Sequence, residues 1–222
     1  WNLQIENKRH EIHLEKKNNS YTGKILSNSH EINLEKLFKI AKLEYYKILD
    51  YGCGKGIWSN DHVEKDSKVQ NIILYDNNAD LINFLRKKYK NKKFEINFNL
   101  EEITNTKEYN IVIFSSVIQY ISHEELKRTI NKFNSNKKKI TIIFTDVPFL
   151  PRLVEFVMMP LFNLKRFLFS LKLLFSQNYK NIKYSTYQKS FFDLFQNEFE
   201  ISYSKNLHDL KYLRYTVVLS SK

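Results

Sequence analysis

Ile48-Leu49-Asp50-Tyr51-Gly52-Cys53-Gly54-Lys55-Gly56 holds three of the four glycines in a chain of 222 residues. Glycine costs backbone entropy and persists where the main chain reaches positive φ or where another group must come close to it. An apolar run ending in an acid, followed by alternating glycines, reads as a buried strand that turns sharply around a ligand. Ile57, Trp58 and Ser59 then open a helix, whose first amides point into the turn.

Spacing separates the two nucleotide-type ligands that use such a turn. The dinucleotide fingerprint needs glycine at the first, third and sixth positions, and counting from Gly52 the sixth is Ile57. Asp-x-Gly-x-Gly-x-Gly instead resembles motif I of the class I S-adenosylmethionine-dependent methyltransferases, with Asp50, Gly52, Gly54 and Gly56 on its four defining positions. Cys53 reads as a small residue filling a tight turn rather than a nucleophile, because nothing near it in sequence would activate it. The resemblance implies S-adenosyl-L-methionine as cofactor and S-adenosyl-L-homocysteine as its product, with Asp50, Gly52, Cys53, Gly54 and Gly56 among the contacts. It also implies an α/β fold: a Rossmann-like doubly wound sheet of seven strands, mostly parallel with an antiparallel last strand, plus a helical lid insertion after strand five.

Downstream, Ile72-Ile73-Leu74-Tyr75 reads as a second buried strand ending at Asp76. A carboxylate there can accept from both hydroxyls of a ribose. Asp76 matches the family's ribose-binding acid, and Asn77 beside it joins the cofactor set. Asp76 also suits a helix N-cap, since Asn77 and Asn78 precede the helical pattern Ala79, Leu81, Ile82, Leu85; the two roles are compatible. Phe94-Glu95-Ile96-Asn97-Phe98 alternates and reads as a third strand. Asn99 and Leu100 follow, where the family places an adenine-contacting polar residue and an apolar neighbour. Tyr109 to Phe114 is the fourth strand. Ser115-Ser116-Val117-Ile118-Gln119-Tyr120-Ile121 then resembles the family's post-strand segment facing the methionine end of the cofactor and the substrate, which brings in Ser115 and Gln119. Many small-molecule members have histidine where Tyr120 stands, so that base is missing. The segment also lacks the Asx/Ser-Pro-Pro-aromatic signature of enzymes that methylate adenine or glutamine amino groups.

Glu124, Leu126, Ile130 and Phe133 fit one helix, and Ile140 to Phe144 a fifth strand ending near Asp146. Five alternations of strand and helix imply a parallel sheet with right-handed crossovers. Asp50, Asp76, Ser115 and Asp146 then converge beyond the carboxyl ends of the strands, where ligands bind. That convergence is independent of the resemblance. All three prolines, Pro148, Pro151 and Pro160, fall in the aromatic-rich residues 147–176. Arg152, Glu155, Lys165, Arg166 and Lys172 interrupt any run of the roughly 20 apolar residues that a membrane span needs. Two amphipathic helices around Pro160 fit better. In the family an insertion here often builds a substrate lid; peripheral contact with an anionic membrane is the second reading. Tyr184 to Tyr187 precede a helix with Phe191, Phe192, Leu194 and Phe195. Phe199 to Tyr203 and Tyr212 to Leu219 read as a closing hairpin bent near Asn206 to Asp209, with the seventh strand antiparallel.

These readings give one domain over residues 1–222: arm and helix 1–44, cofactor-binding core 45–146, lid 147–186, and C-terminal helix with closing hairpin 187–222. In the arm, Lys8, Arg9, Lys16 and Lys17 have no apolar core behind them, unlike a secretory signal. Hydrophobic content of 42% with 15% aromatics excludes a disordered chain. A single cysteine excludes an internal disulfide framework and fits a reducing, cytoplasmic location, with the inner face of the membrane as the other. Net charge of +12 suits nucleic acid, an anionic membrane or a phosphorylated substrate. Its densest run, Arg86 to Lys93, spans a helix end, where lysine complements the helix dipole. No nucleic-acid module is appended and no zinc spacing occurs, so a small-molecule acceptor is expected, with no metal.

The reaction expected is methyl transfer to an oxygen or nitrogen of that acceptor, by comparison with similar short members a surface-saccharide or phosphorylated precursor. RNA methylation and a non-catalytic cofactor-binding or membrane-surface protein are the alternatives. Candidates to hold or deprotonate the acceptor are Tyr120, Asp146, Tyr187 and His208.

Overall fold

The computed structural model describes residues 44–54, 56, 67–89, 93–135, 139–150, 185–205 and 214–222. The expected arm and first helix up to residue 43, the helix around Trp58 to Glu64, the insertion from 151 to 184 and the hairpin bend lie outside the described residues.

Seven strands form one sheet. β1 (Tyr46–Tyr51), β2 (Val69–Tyr75), β3 (Phe94–Asn97), β4 (Ile111–Ser115) and β5 (Thr141–Pro148) run parallel in the spatial order β3-β2-β1-β4-β5. β6 (Phe199–Lys205) and β7 (Arg214–Ser221) complete it, with β7 inserted antiparallel between β5 and β6. The near-continuous aliphatic runs of β1, β2, β4 and β5 are those of strands covered on both faces. The expected sheet, with its antiparallel seventh strand, is therefore present.

Alternation along each strand divides the core in two. Ile48, Leu74 and Ile113 point to one face, where Ile82 and Leu85 of helix α1 (Ala79–Lys88) pack on them. Leu49, Ile73, Val112 and Phe144 point to the other, covered by α2 (Leu100–Thr106), α3 (His123–Ser135) and α4 (Lys189–Asp193). α3 buries Leu126, Thr129, Ile130 and Phe133 at spacings of three, four and seven, the stripe of an amphipathic helix. Asn78 caps α1, its Oδ1 accepting from the amides of Asp80 at 2.9 Å and Leu81 at 3.3 Å. Arg86, Lys87 and Lys88 stand in its last turn, where positive charge meets the dipole.

Two strand ends differ from the expected ones in ways that matter. β3 stops at Asn97, and Phe98 is exposed. β5 does not end near Asp146 but runs on to Pro148 through a bulge: Phe144 pairs with Val217 and Val147 with Tyr215, so β5 spends one residue more than β7. The extra residue lies at Thr145–Asp146, and Asp146 takes φ +63°. The bulge keeps Val147 in the same core cluster as Phe144 and leaves the Asp146 carboxylate bonded to Ser116 and Arg214.

Candidate active site

The strand order reverses between β1 and β4, which makes the carboxyl ends of these strands a crevice flanked by both. Gly52, Gly54 and Gly56 all have positive φ, between +54° and +70°. The amides of Gly52 and Cys53 both donate to the Tyr75 carbonyl, at 2.8 and 3.0 Å, which fastens the turn to the end of β2. Gly52 is compulsory on a second ground: a Cβ there would meet Val117 Cγ2 at 2.5 Å.

Asp76 stands at the end of β2, nearly buried. Its Oδ2 accepts from the Gly54 amide and its Oδ1 from the Asn78 amide, each at 3.0 Å. The N-cap of α1 is Asn78 rather than Asp76, whose carboxylate takes the Asn78 amide instead of those of the helix. Asn77 is exposed beside it. Asp50 is wholly buried at the end of β1. Burial, then the nearby carboxylates of Asp50 and Asp76, push the Cys53 thiol well above its ordinary value, so it stays protonated and inert.

Beyond β3, Asn99 is exposed and caps α2, with Oδ1 accepting from Glu101 N at 3.0 Å and Glu102 N at 3.2 Å; Leu100 packs against the core. Asn97 is buried and turns the chain into this cap, its Oδ1 accepting from Asn99 N at 2.9 Å. Beyond β4, Ser115 Oγ accepts from Thr145 Oγ1 at 3.3 Å, and a 3-10 turn, Ile118–Tyr120, buries Gln119 and leaves Tyr120 half-exposed.

A closed polar ring joins this turn to β5 and β7. Ser116 Oγ donates to Asp146 Oδ2 at 2.9 Å, and Arg214 Nη1 donates to the same oxygen at 2.8 Å. Arg214 Nη1 also reaches Gln119 Oε1 at 2.8 Å, and Gln119 Nε2 returns to the Ser116 carbonyl at 3.1 Å. Asp146, Gln119 and Arg214 are all buried. Removing one partner of a buried ion pair typically costs about 3–5 kcal/mol, because the other charge is left behind. Arg214 and Ser116 were not singled out in the sequence. An arginine leading the apolar run Tyr215 to Leu219 is the one sequence signal for the pair, and the pairing of β7 with β5 brings it beside Asp146.

Tyr187 is fully buried, which raises its phenol, and its hydroxyl donates to the Ile121 carbonyl at 2.7 Å. It pins a short strap to the sheet: Ser185 N donates to Gln119 O at 2.8 Å, Tyr187 N to Pro148 O at 2.7 Å, and Tyr215 Oη to Tyr187 O at 2.6 Å. That environment is one for a core residue, not for a group that exchanges protons with an acceptor. His208 lies outside the described residues. Among the described residues no group of three or more His, Cys, Asp or Glu could hold a metal ion, and no helix is long and apolar enough to cross a membrane.

A carboxylate at the end of β2, a glycine turn with a bare main chain and a polar segment after β4 form the crevice of a class I methyltransferase fold. The family described as "Methyltransferase domain" matches residues 43–196, and the chain belongs to it. It is an S-adenosylmethionine-dependent methyltransferase, and the residues around the crevice fit that cofactor. No curated protein matches the sequence. Among solved structures, an S-adenosylmethionine-dependent methyltransferase from Clostridium acetobutylicum is similar over 97% of this chain and 98% of that one, with a TM-score of 0.60 at 12% identity. A magnesium protoporphyrin IX methyltransferase from Synechocystis, with bound SAH, is similar over 88% of this chain and 82% of that one, with a TM-score of 0.56 at 15% identity. A methyltransferase from Anabaena variabilis gives a TM-score of 0.60 at 11% identity, over 86% and 83% of the two chains.

Proposed function

We propose that this enzyme methylates an oxygen or nitrogen of a small-molecule acceptor, a saccharide or phosphorylated precursor being the class that fits its basic surface. The observation that carries this reading is the buried polar ring of Ser116, Gln119, Asp146 and Arg214, set one strand beyond the glycine turn. A site built from such a ring presents a fixed, dry wall to a compact acceptor. Among the structural neighbours, the Synechocystis enzyme is named for magnesium protoporphyrin IX, and an O-methyltransferase family 2 protein from Planctomyces limnophilus is in complex with apigenin, both small molecules.

In this reading Asp76 accepts from the ribose hydroxyls. Asn77, Asn99 and Leu100 stand on the adenine side, the glycine turn brings bare main chain along the middle, and Ser115 and Gln119 hold the methionine end. S-adenosylmethionine supplies a methyl already activated by a sulfonium, with a neutral leaving group. The chain's part is therefore to align the acceptor and exclude water. Tyr120, half-exposed in the turn after β4, is assigned to hold the incoming atom. Asp146 shapes the pocket through its bond to Arg214. A base is required only for acceptors that must lose a proton, and His208 is kept as the candidate for that step. Acceptor recognition is assigned to the insertion of residues 147–186, whose described ends, Phe149 and Ser185, adjoin β5 and Gln119. We place the enzyme in the cytoplasm, in keeping with its single cysteine.

Calorimetric titration of S-adenosylhomocysteine, with NAD as the control, tests the cofactor half. A screen of saccharides and phosphorylated metabolites with methyl-labelled S-adenosylmethionine tests the acceptor half. Label appearing in RNA instead, with binding that falls steeply as salt rises, would favour the second reading, which the charge of +12 supports.

A further inference from the structure

Ser116 and Asp146 are the two residues other than glycine, among those described, that adopt positive φ, at +54° and +63°. Ser116 directly follows the end of β4, Asp146 lies in the neighbouring strand β5, and the two are bonded through Ser116 Oγ and Asp146 Oδ2 at 2.9 Å. Such a backbone persists only where its surroundings over-determine it. What over-determines it here is one guanidinium from the far side of β5. Arg214 Nη1 binds Asp146 by side chain at 2.8 Å and by carbonyl at 3.3 Å, and binds Gln119 Oε1 at 2.8 Å; Gln119 then holds the Ser116 carbonyl.

The position of this ring relative to Asp76 gives it a purpose. Asp76 touches the glycine turn at Gly54, from the β2 side; Val117 touches it at Gly52, from the β4 side. Neighbouring strands lie about 4.8 Å apart, so the ends of β2 and β4, two strands apart, are separated by about 10 Å. A ligand whose ribose sits on Asp76 and which crosses the turn therefore ends against Ser116 to Gln119.

We propose that Arg214 is a positioning residue: by fixing Ser116, Gln119 and Asp146 it sets the wall that receives the amino-acid and methyl end of the cofactor. The inference rests on the S-adenosylmethionine reading of the site. It assigns no contact between Arg214 and the cofactor itself; the guanidinium acts through the groups it holds.

Two probes separate this role from general support of the fold. S-adenosylhomocysteine carries the amino-acid end, and 5′-methylthioadenosine keeps the adenosine and thioether without it. Arg214→Met is expected to weaken S-adenosylhomocysteine by about tenfold or more, a loss of about 1.4 kcal/mol or more, while 5′-methylthioadenosine binds as in the parent chain. Arg214→Lys keeps the charge but not the planar fork and is expected to restore part of the loss. Thermal melting accompanies each variant. Should Arg214→Met not fold, Ser116→Ala, which deletes one hydroxyl of a half-exposed residue, is expected to give the same selective pattern at smaller amplitude. Equal weakening of both probes would make Arg214 a structural residue only, and unchanged affinity for both would mean the cofactor does not read the ring; either overturns the proposal. A parent chain that binds neither probe removes the cofactor reading itself, and the proposal with it.

Discussion

Gly52 and Val117 touch where the turn after β1 meets the segment after β4: a Cβ added at Gly52 would stand 2.5 Å from Val117 Cγ2 and 3.1 Å from its Cβ. Backbone at φ +70° adds a second penalty for any side chain. Gly52→Ala is therefore expected to destabilise by about 1–3 kcal/mol through strain and overpacking, and to abolish detectable binding of S-adenosylhomocysteine. Val117→Ala removes the opposing methyl groups, so the double variant should recover part of the stability, but not the part owed to φ. Chemical denaturation of the four chains gives the coupling energy. Strictly additive losses would mean that the two residues do not share the contact.

Asp76 carries the next expectation. Asp76→Ala strips two backbone amides, those of Gly54 and Asn78, of their acceptor. A stability loss of about 1–3 kcal/mol is expected, the scale for a donor left unsatisfied. Binding of S-adenosylhomocysteine should also fall, by about a hundredfold or more, since two bonds to a charged acceptor at about 1.5–3 kcal/mol each come to about 3–6 kcal/mol. Asp76→Asn separates the effects: it can keep one acceptor for the amides while losing the charge. Calorimetry that finds unchanged affinity in Asp76→Ala would remove the ribose assignment.

What the sequence displayed follows from how many residues share each signal. The parallel strands were legible because β1, β2, β4 and β5 are each apolar on both faces, and α3 because Leu126, Ile130 and Phe133 repeat at helical spacing. The glycine turn was legible because positive φ has a dedicated residue type. The bulge was not, since Asp146 and Ser116 take the same backbone region with residues that fit many other conformations. Arg214 was hidden for a related reason: one charge at the start of an apolar strand reads as a solvated end, and its buried partner lies 68 positions away in sequence. Asn99 shows the opposite case. Asparagine before a helix is a capping signal, and the cap is what its side chain makes here, alongside the adenine-side position the resemblance assigns to it.

Tyr187 tests the boundary between core and chemistry. Its hydroxyl holds the Ile121 carbonyl, and its ring packs on His123 at 4.7 Å and Phe191 at 5.0 Å. Tyr187→Phe should keep the ring packing and lose one buried bond, at about 1–3 kcal/mol. Its methyl-transfer rate at saturating substrate should match the parent chain. General bases contribute about 10²–10⁴-fold, so a fall in kcat of that size without unfolding would return Tyr187 to the catalytic set.

Alkaline pH offers a test of the core as a whole. Burial, as the largest cause, raises the phenols of Tyr51, Tyr75, Tyr187 and Tyr215 above their ordinary 10.0, and the Cys53 thiol above its ordinary 9.0. In each case the folded chain keeps a proton that the unfolded chain gives up. The stability these groups contribute is therefore complete below about pH 9 and falls as pH climbs through the ordinary values, by up to about 1.4 kcal/mol per pH unit for each group ionised only in the unfolded chain. Denaturation midpoints should be flat from neutral pH to about 8.5 and drop steeply between about 9 and 11, with tyrosinate absorbance at 295 nm rising together with the loss of helical circular dichroism. Tyrosinate absorbance from these four residues that rises well before unfolding would place their phenols in water instead. It would contradict the packing of Tyr51 between Tyr75 and Phe114, with ring centroids at 4.9 and 4.4 Å.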